Sequence, residues 1–204
     1  IIFKKILQKG LNMRDIFIYL ILVTSFIGCS TAGRVFNYQS REKLELGVTT
    51  YEYAIEIFGE STSSSETTNE DGVYKTIGYV YGSAGLWETA ARALTLEFKQ
   101  GLLNGFSYVS NYSEDKTDFQ LEEIKKIVVK SSNKTDVLRI MGEPSTKILC
   151  PSVSFSTDCE KCKEIWAWLF IEQGGKESKS KKIFINFDEN GVVLQIGSGS
   201  GIQF

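Results

Sequence analysis

The sequence predicts an α+β fold of two tandem units, each a short helical segment packed on a small antiparallel β-sheet. Three observations carry this expectation. Leu46–Ser61 (LGVTTYEYAIEIFGES) returns 83 residues later as Val129–Pro144 (VKSSNKTDVLRIMGEP), with Gly59 falling on Gly142, Ile57 on Ile140, Ala54 on Val137 and Thr50 on Asn133. The segments downstream of the two copies are also alike, LTLEFKQGLLNGFSY at 94–108 and IFINFDENGVVLQIG at 183–197. Both of those stretches alternate apolar and polar residues around an X-Gly pair, Gln100-Gly101 or Asn190-Gly191, as hairpins do. A fixed internal period of this kind marks a repeated structural unit.

In chain order, residues 1–28 read as a lipoprotein-type signal segment. Ile16–Gly28 is an apolar run broken only by Thr24 and Ser25, shorter than the ~20 residues a transmembrane helix needs and suited to a signal h-region. Met13 is the natural start, and Cys29 comes directly after the run. Residues 29–39 read as a tether, 40–112 as the first unit, 113–117 as a linker and 118–204 as the second unit.

The repeated stretch itself reads as helix and stop. Thr49 is positioned to N-cap, with Glu52 at capping-box spacing. Tyr51, Ala54, Ile55 and Phe58 share one side, and Gly59 takes the left-handed position that ends the helix. In the second copy Ser132 or Asn133 caps, Val137, Leu138 and Met141 form the stripe, and Gly142 stops it. Helices of this length are unstable alone and must lie on something. The strands supply it: 76–81, 94–98 and 102–109 in the first unit, then 147–150, 164–172, 183–187 and 192–196 in the second. Ser61–Gly72 reads as a solvated connection ending in an Asp71-Gly72 turn, 82–92 as a long connection, 174–182 as a basic turn, and 197–204 as a frayed end.

Composition narrows function. The 204 residues carry a net charge of −2, with no basic excess for nucleic acid, and no histidine at all. That removes the commonest general base and the commonest zinc ligand. Ser/His/Asp and Cys/His catalysis are excluded, no phosphate loop is present, and no cofactor is implied.

Helix, stop and antiparallel strands with a late X-Gly hairpin, behind Phe26-Ile27-Gly28-Cys29, resemble the SmpA/OmlA (BamE-like) outer-membrane lipoprotein family. In the second copy the resemblance rests on Ile127, 133–137 (NKTDV), 141–144 (MGEP), Trp166, Phe187 and Gly191. In the first it rests on 46–50 (LGVTT), 58–60 (FGE), Tyr79, Phe98 and Gly101. Phe26 stands where the lipobox usually has leucine, and Ser61 where the family has proline. The tandem architecture is similar to that of the β-lactamase inhibitory protein. The resemblance implies lipidation at Cys29, a place on the periplasmic face of the outer membrane, and work done by binding other envelope proteins.

Three cysteines remain. Cys150, Cys159 and Cys162 are disulfide candidates, since an exported chain meets an oxidising compartment. Sequence leaves the pairing open; a zinc or redox role lacks both a fourth ligand and a thioredoxin-like setting. Along 164–172 the aromatics Trp166, Trp168 and Phe170 alternate with Ile165, Ala167, Leu169 and Ile171. The aliphatic set suits the side under a helix, which puts the aromatics on an open sheet face as partner-binding candidates, unless Trp166 is core. The expected function is therefore a non-catalytic scaffold or assembly lipoprotein. The alternatives are an inhibitor of an envelope enzyme and, in a different class, a carboxylate-based envelope hydrolase.

Overall fold

The computed structural model describes residues 30–85, 89–115, 119, 121–155, 161–174 and 177–203. The signal segment, Cys29, Trp87 and Cys159 lie outside the described residues. Helices α1 (Tyr51–Phe58) and α2 (Lys134–Met141) form where the repeat places them. Thr50 rather than Thr49 caps α1, its hydroxyl accepting from Tyr53 N at 3.2 Å. Thr49 instead accepts from Glu45 N at 2.9 Å and ties the preceding turn. In α2 Asn133 and Asp136 make a reciprocal capping box, and Ser132 accepts from Val128 N, four residues back like Thr49. Gly59 (φ 78°) and Gly142 (φ 73°) end the two helices in the left-handed region, where a side chain would be strained.

The strands are β1 (Ser30–Gly33), β2 (Ser63–Asn69), β3 (Gly72–Ala84), β4 (Thr89–Lys99), β5 (Leu102–Ser110), β6 (Thr146–Leu149), β7 (Glu164–Gly174), β8 (Glu177–Phe187) and β9 (Val193–Gln203). They form one nine-stranded antiparallel sheet, ordered β1-β3-β4-β5-β6-β7-β8-β9, with β2 also on β3. Strand therefore extends well beyond the apolar alternation. The tether begins as β1, the polar connection at 61–72 is β2 with the expected turn at its end, and the basic turn shrinks as β8 starts at Glu177. The Gly/Ser-rich end at 197–203 is paired along β8 instead of fraying. The cause is common to all four: backbone N–H and C=O groups pair without regard to side chains, so a strand already in place can carry a polar neighbour that has no apolar face of its own.

The same backbone hydrogen bonds recur in the two halves. Gly47 N and Lys130 N donate to Leu103 O and Val193 O, and Tyr51 N and Lys134 N donate to Gly101 O and Gly191 O. Leu103 N and Val193 N return to Thr49 O and Ser132 O. Each helix covers its own apolar cluster. Ala54 and Phe58 lie on Ile77, Tyr79, Leu94, Leu96, Phe98 and Leu103; Val137 and Met141 lie on Trp166, Trp168, Phe170, Ile183, Ile185, Phe187 and Val193. Strands β5 and β6 join the halves through Gly105↔Ile148, Phe106↔Lys147 and Ser107↔Thr146.

This arrangement corrects the expected facing of β7. Trp166 (4% exposed), Trp168 (2%) and Phe170 (8%) sit beneath α2, and no aromatic face is open there. A helix of two turns leaves a wide gap over the sheet, which large rings fill and small aliphatic residues would not. Ile165 and Ala167 on the other face are buried as well. With both faces covered, alternation along the strand no longer tells which side is out.

Candidate functional site

On the face opposite the helices the described residues 150–155, leaving β6, lie as a strap. Cys150 and Cys162 form a disulfide with Cα atoms 5.9 Å apart. Of the three candidates, these two pair. The strap is anchored on Glu97 of β4, which is 2% exposed and lies on this face because Leu96 and Phe98 face the helix. Glu97 accepts from Asn104 Nδ2 at 2.7 Å, Ser152 Oγ at 3.0 Å and Ser154 N at 2.8 Å, and also from Ser154 Oγ. Farther along, Tyr74 OH donates to Pro151 O at 3.3 Å, and Phe155 packs edge-on to Phe184 at 5.9 Å. A buried carboxylate with this many donors is satisfied, so Glu97 acts as a structural pin.

On the helix side a groove of about 430 Å³ opens at the seam between the halves. Phe106 and Tyr108 of β5 form its floor, Arg41 and Glu42 one wall, and Glu143, Pro144 and Lys147 the other. The short 3-10 helix at Tyr38–Lys43 holds Arg41 there, its NH1 donating to Tyr38 O at 3.1 Å and its guanidinium 4.5 Å from the Tyr108 ring centre. Lys147 is paired with Glu143 at 3.1 Å. No carboxylate among the described residues pairs with Arg41.

Behind the groove lies a buried polar cluster. Arg92 is sandwiched between the rings of Tyr38 (4.0 Å) and Tyr112 (4.1 Å) and bonds Glu114 at 2.9 Å and Asp115 at 3.0 Å. Asp115 also accepts from Tyr108 OH and Ser110 Oγ, both at 2.7 Å. Burial, then the hydrogen bond to Asp115, pushes the Tyr108 phenol well above its ordinary range, so it stays a donor. Burial alone would lower the Arg92 guanidinium, but Asp115 and the neighbouring tyrosines outweigh it and the net shift is upward. Every member is tied to another, so the cluster fixes the segment after β5 and the groove floor.

Sequence reasoning singled out none of Arg41, Arg92, Glu97 or Asp115, because the contacts that define the site, Arg41 on Tyr108, Arg92 on Asp115 and Glu97 on Ser154, cross the chain and no local spacing announces them. Among the described residues no three His, Cys, Asp or Glu side chains gather as metal ligands would. No helix among the described residues is long and apolar enough to cross a membrane.

No protein-family profile matches the chain, and no curated protein matches its sequence. Among solved structures, a crystal structure described as a "putative beta-lactamase inhibitor protein" from Streptococcus mutans is similar at 9% identity, covering 79% of this chain and 93% of that one, with a TM-score of 0.46. At that identity and score the match says nothing of activity or partner.

Proposed function

We propose that the protein is a non-catalytic binding lipoprotein of the cell envelope, anchored through Cys29, in which two duplicated helix-on-sheet units, 40–112 and 118–204, hold a partner at their seam. The observation that carries the reading is Arg41: a cation laid on a tyrosine ring at the lip of the seam groove, without a carboxylate partner among the described residues. Arginine and tyrosine in a partly desolvated hollow are typical anchors of protein interfaces. The occupant that fits is a loop of an envelope protein presenting an acidic side chain to Arg41 over the Phe106–Tyr108 floor. Recurrence of the cap, stop and strand-to-helix hydrogen bonds supports duplication. The apolar run before Cys29 supports the anchor.

Photo-crosslinking groups placed at Glu42 and Glu143 in whole cells test this. Both positions are expected to capture the same envelope protein, while a group at Asn69, at the tip of the β2–β3 hairpin, captures none of it. Equal capture at all three positions, or none at the groove, would overturn the reading. If the captured protein is an enzyme that the purified chain inhibits, the role is inhibition; if it is an assembly component, the role is scaffolding. Mass spectrometry of the mature N-terminus tests the anchor, with an unmodified Cys29 counting against it.

A further inference from the structure

Strand β9 is an open edge of the sheet: among the described residues it pairs only with β8. Its counterpart in the first half is β5, since Leu103 and Val193 make the same pair of backbone bonds to the turn before each helix. The outer edge of β5 does not stay open; β6 closes it with an antiparallel pairing. Exposed edges are normally guarded by lysine, proline, a bulge or a very short strand. The eleven residues of β9 contain no charge and no proline, and the strand's bulge, at Leu194, lies before the stretch 195–203.

The sequence of β9 adds what would close it. Gln195–Gln203 (QIGSGSGIQ) reads the same in both directions about Gly199. When two copies of a strand pair antiparallel about a two-fold axis at Gly199, Ser198 opposes Ser200, Ile196 opposes Ile202 and Gln195 opposes Gln203. Each residue then meets its own kind: hydroxyl with hydroxyl, aliphatic with aliphatic, amide with amide. Opposed pairs of these kinds are what stabilise an antiparallel ladder.

We propose that β9 is a self-association edge, and that its occupant is β9 of a second copy of this chain, joining two sheets into one across a closed, isologous interface. The opposite edge of the sheet, made by β2 and the four-residue β1, fits less well. It carries Glu66, and β9-on-β2 pairing would repeat the internal β5–β6 join head to tail and build open chains rather than a pair. The proposal does not rest on the seam groove, which lies at β5 and β6.

Sedimentation of the full chain over a dilution series tests it, alongside two double variants. The expected wild-type species is a dimer, of twice the mass that mass spectrometry gives for the same chain. Ser198→Asp with Ser200→Asp places like charges opposite each other twice, and is expected to weaken the dimer about tenfold or more. Ser198→Asp with Ser200→Lys opposes unlike charges in the same register, and is expected to recover the dimer to within a few-fold of wild type. It carries as many charges in the same strand, so recovery also shows that the strand tolerates them. A third arm does not depend on added charge. Gly199→Cys, in a chain with Cys29 and Cys159 replaced by serine, opposes itself and should form an intermolecular disulfide, whereas Val153→Cys on the strap should not. A monomer at every concentration, a ladder of growing species, a dimer indifferent to the paired aspartates, or failure of Gly199→Cys to crosslink would each overturn the proposal.

Discussion

The two halves satisfy the same carbonyl with different chemistry. In the first, Tyr79 OH of β3 donates to Gly59 O, the residue that stops α1, at 2.9 Å. In the second, Trp168 Nε1 of β7 donates to Gly142 O, which stops α2, at 3.2 Å. Both rings are 2% exposed, and both donors stand at matching places on the first long strand of their half. The backbone plan thus demands a large ring with a donor at its tip, to fill the space under a two-turn helix and tie off its end; it does not demand a particular ring. Burial, and secondarily the nearby Tyr51, raises the Tyr79 hydroxyl to about 12, so the phenol is as dependable a donor as the indole.

The polar face differs more. Glu97 of β4 and Asn186 of β8 occupy matching places, each beside the bulge of the next strand at Asn104 of β5 or Leu194 of β9, and both are buried. Glu97 pins the disulfide-closed strap, whereas Asn186 bonds across the ladder to Gln195 at 3.2 Å. Glu97 thus joins segments distant in the chain, and the Asn186–Gln195 bond joins neighbouring strands.

Breaking the comparison should begin with the rings. Trp168→Ala is expected to destabilise the chain by about 3–5 kcal/mol in chemical denaturation, through lost burial and a cavity under α2. Tyr79→Phe keeps the ring and removes only the donor, so about 1 kcal/mol is expected. A Tyr79→Phe loss as large as that of Trp168→Ala would contradict the filling role. Next comes the pin: Glu97→Ala removes the acceptor shared by Asn104, Ser152 and Ser154 and should cost about 1–3 kcal/mol, with faster proteolysis inside 150–162.

The caps come third. Asn133→Ala is expected to cost about 1 kcal/mol and Thr50→Ala less, because only Asn133 sits in a reciprocal box. The smallest effect is that of pH on this box. The Asn133 backbone hydrogen bond, then Arg139, hold the Asp136 carboxyl below its ordinary value of 3.8. A depressed carboxylate contributes stability that is complete above the unfolded value and fades as pH falls through the folded one. The Asp136→Ala penalty, measured by denaturation at neutral pH and again below pH 3.8, should therefore shrink in acid, because the carboxylate it removes is the group that titrates.

These comparisons also mark what sequence could show. The repeat placed both helices and both stops, because cap, stripe and glycine are local signals acting within about ten residues. The first cap was displaced by one position, since Thr49 and Thr50 offer the same hydroxyl and only the fold assigns one to the helix and the other to Glu45 N. Strands β1 and β2 and the end of β9 were hidden, because their residues pair without an apolar pattern. The facing of Trp166 and Trp168 was undecidable from alternation once the strap covered the opposite side. The strap's pin at Glu97 joins residues 55 and 57 positions apart to Ser152 and Ser154, and no spacing rule spans that distance. The seam groove had no trace in the sequence, being made only when β5 meets β6.

The central claim is that this seam binds a protein through Arg41. The most direct test is the affinity of purified wild-type and Arg41→Glu chains for the partner captured at Glu42 and Glu143, with thermal midpoints measured beside it. The account predicts a loss of about thirtyfold or more with an unchanged midpoint, in keeping with an interface anchor of about 2 kcal/mol. Equal affinity for the two chains, at equal stability, would contradict it.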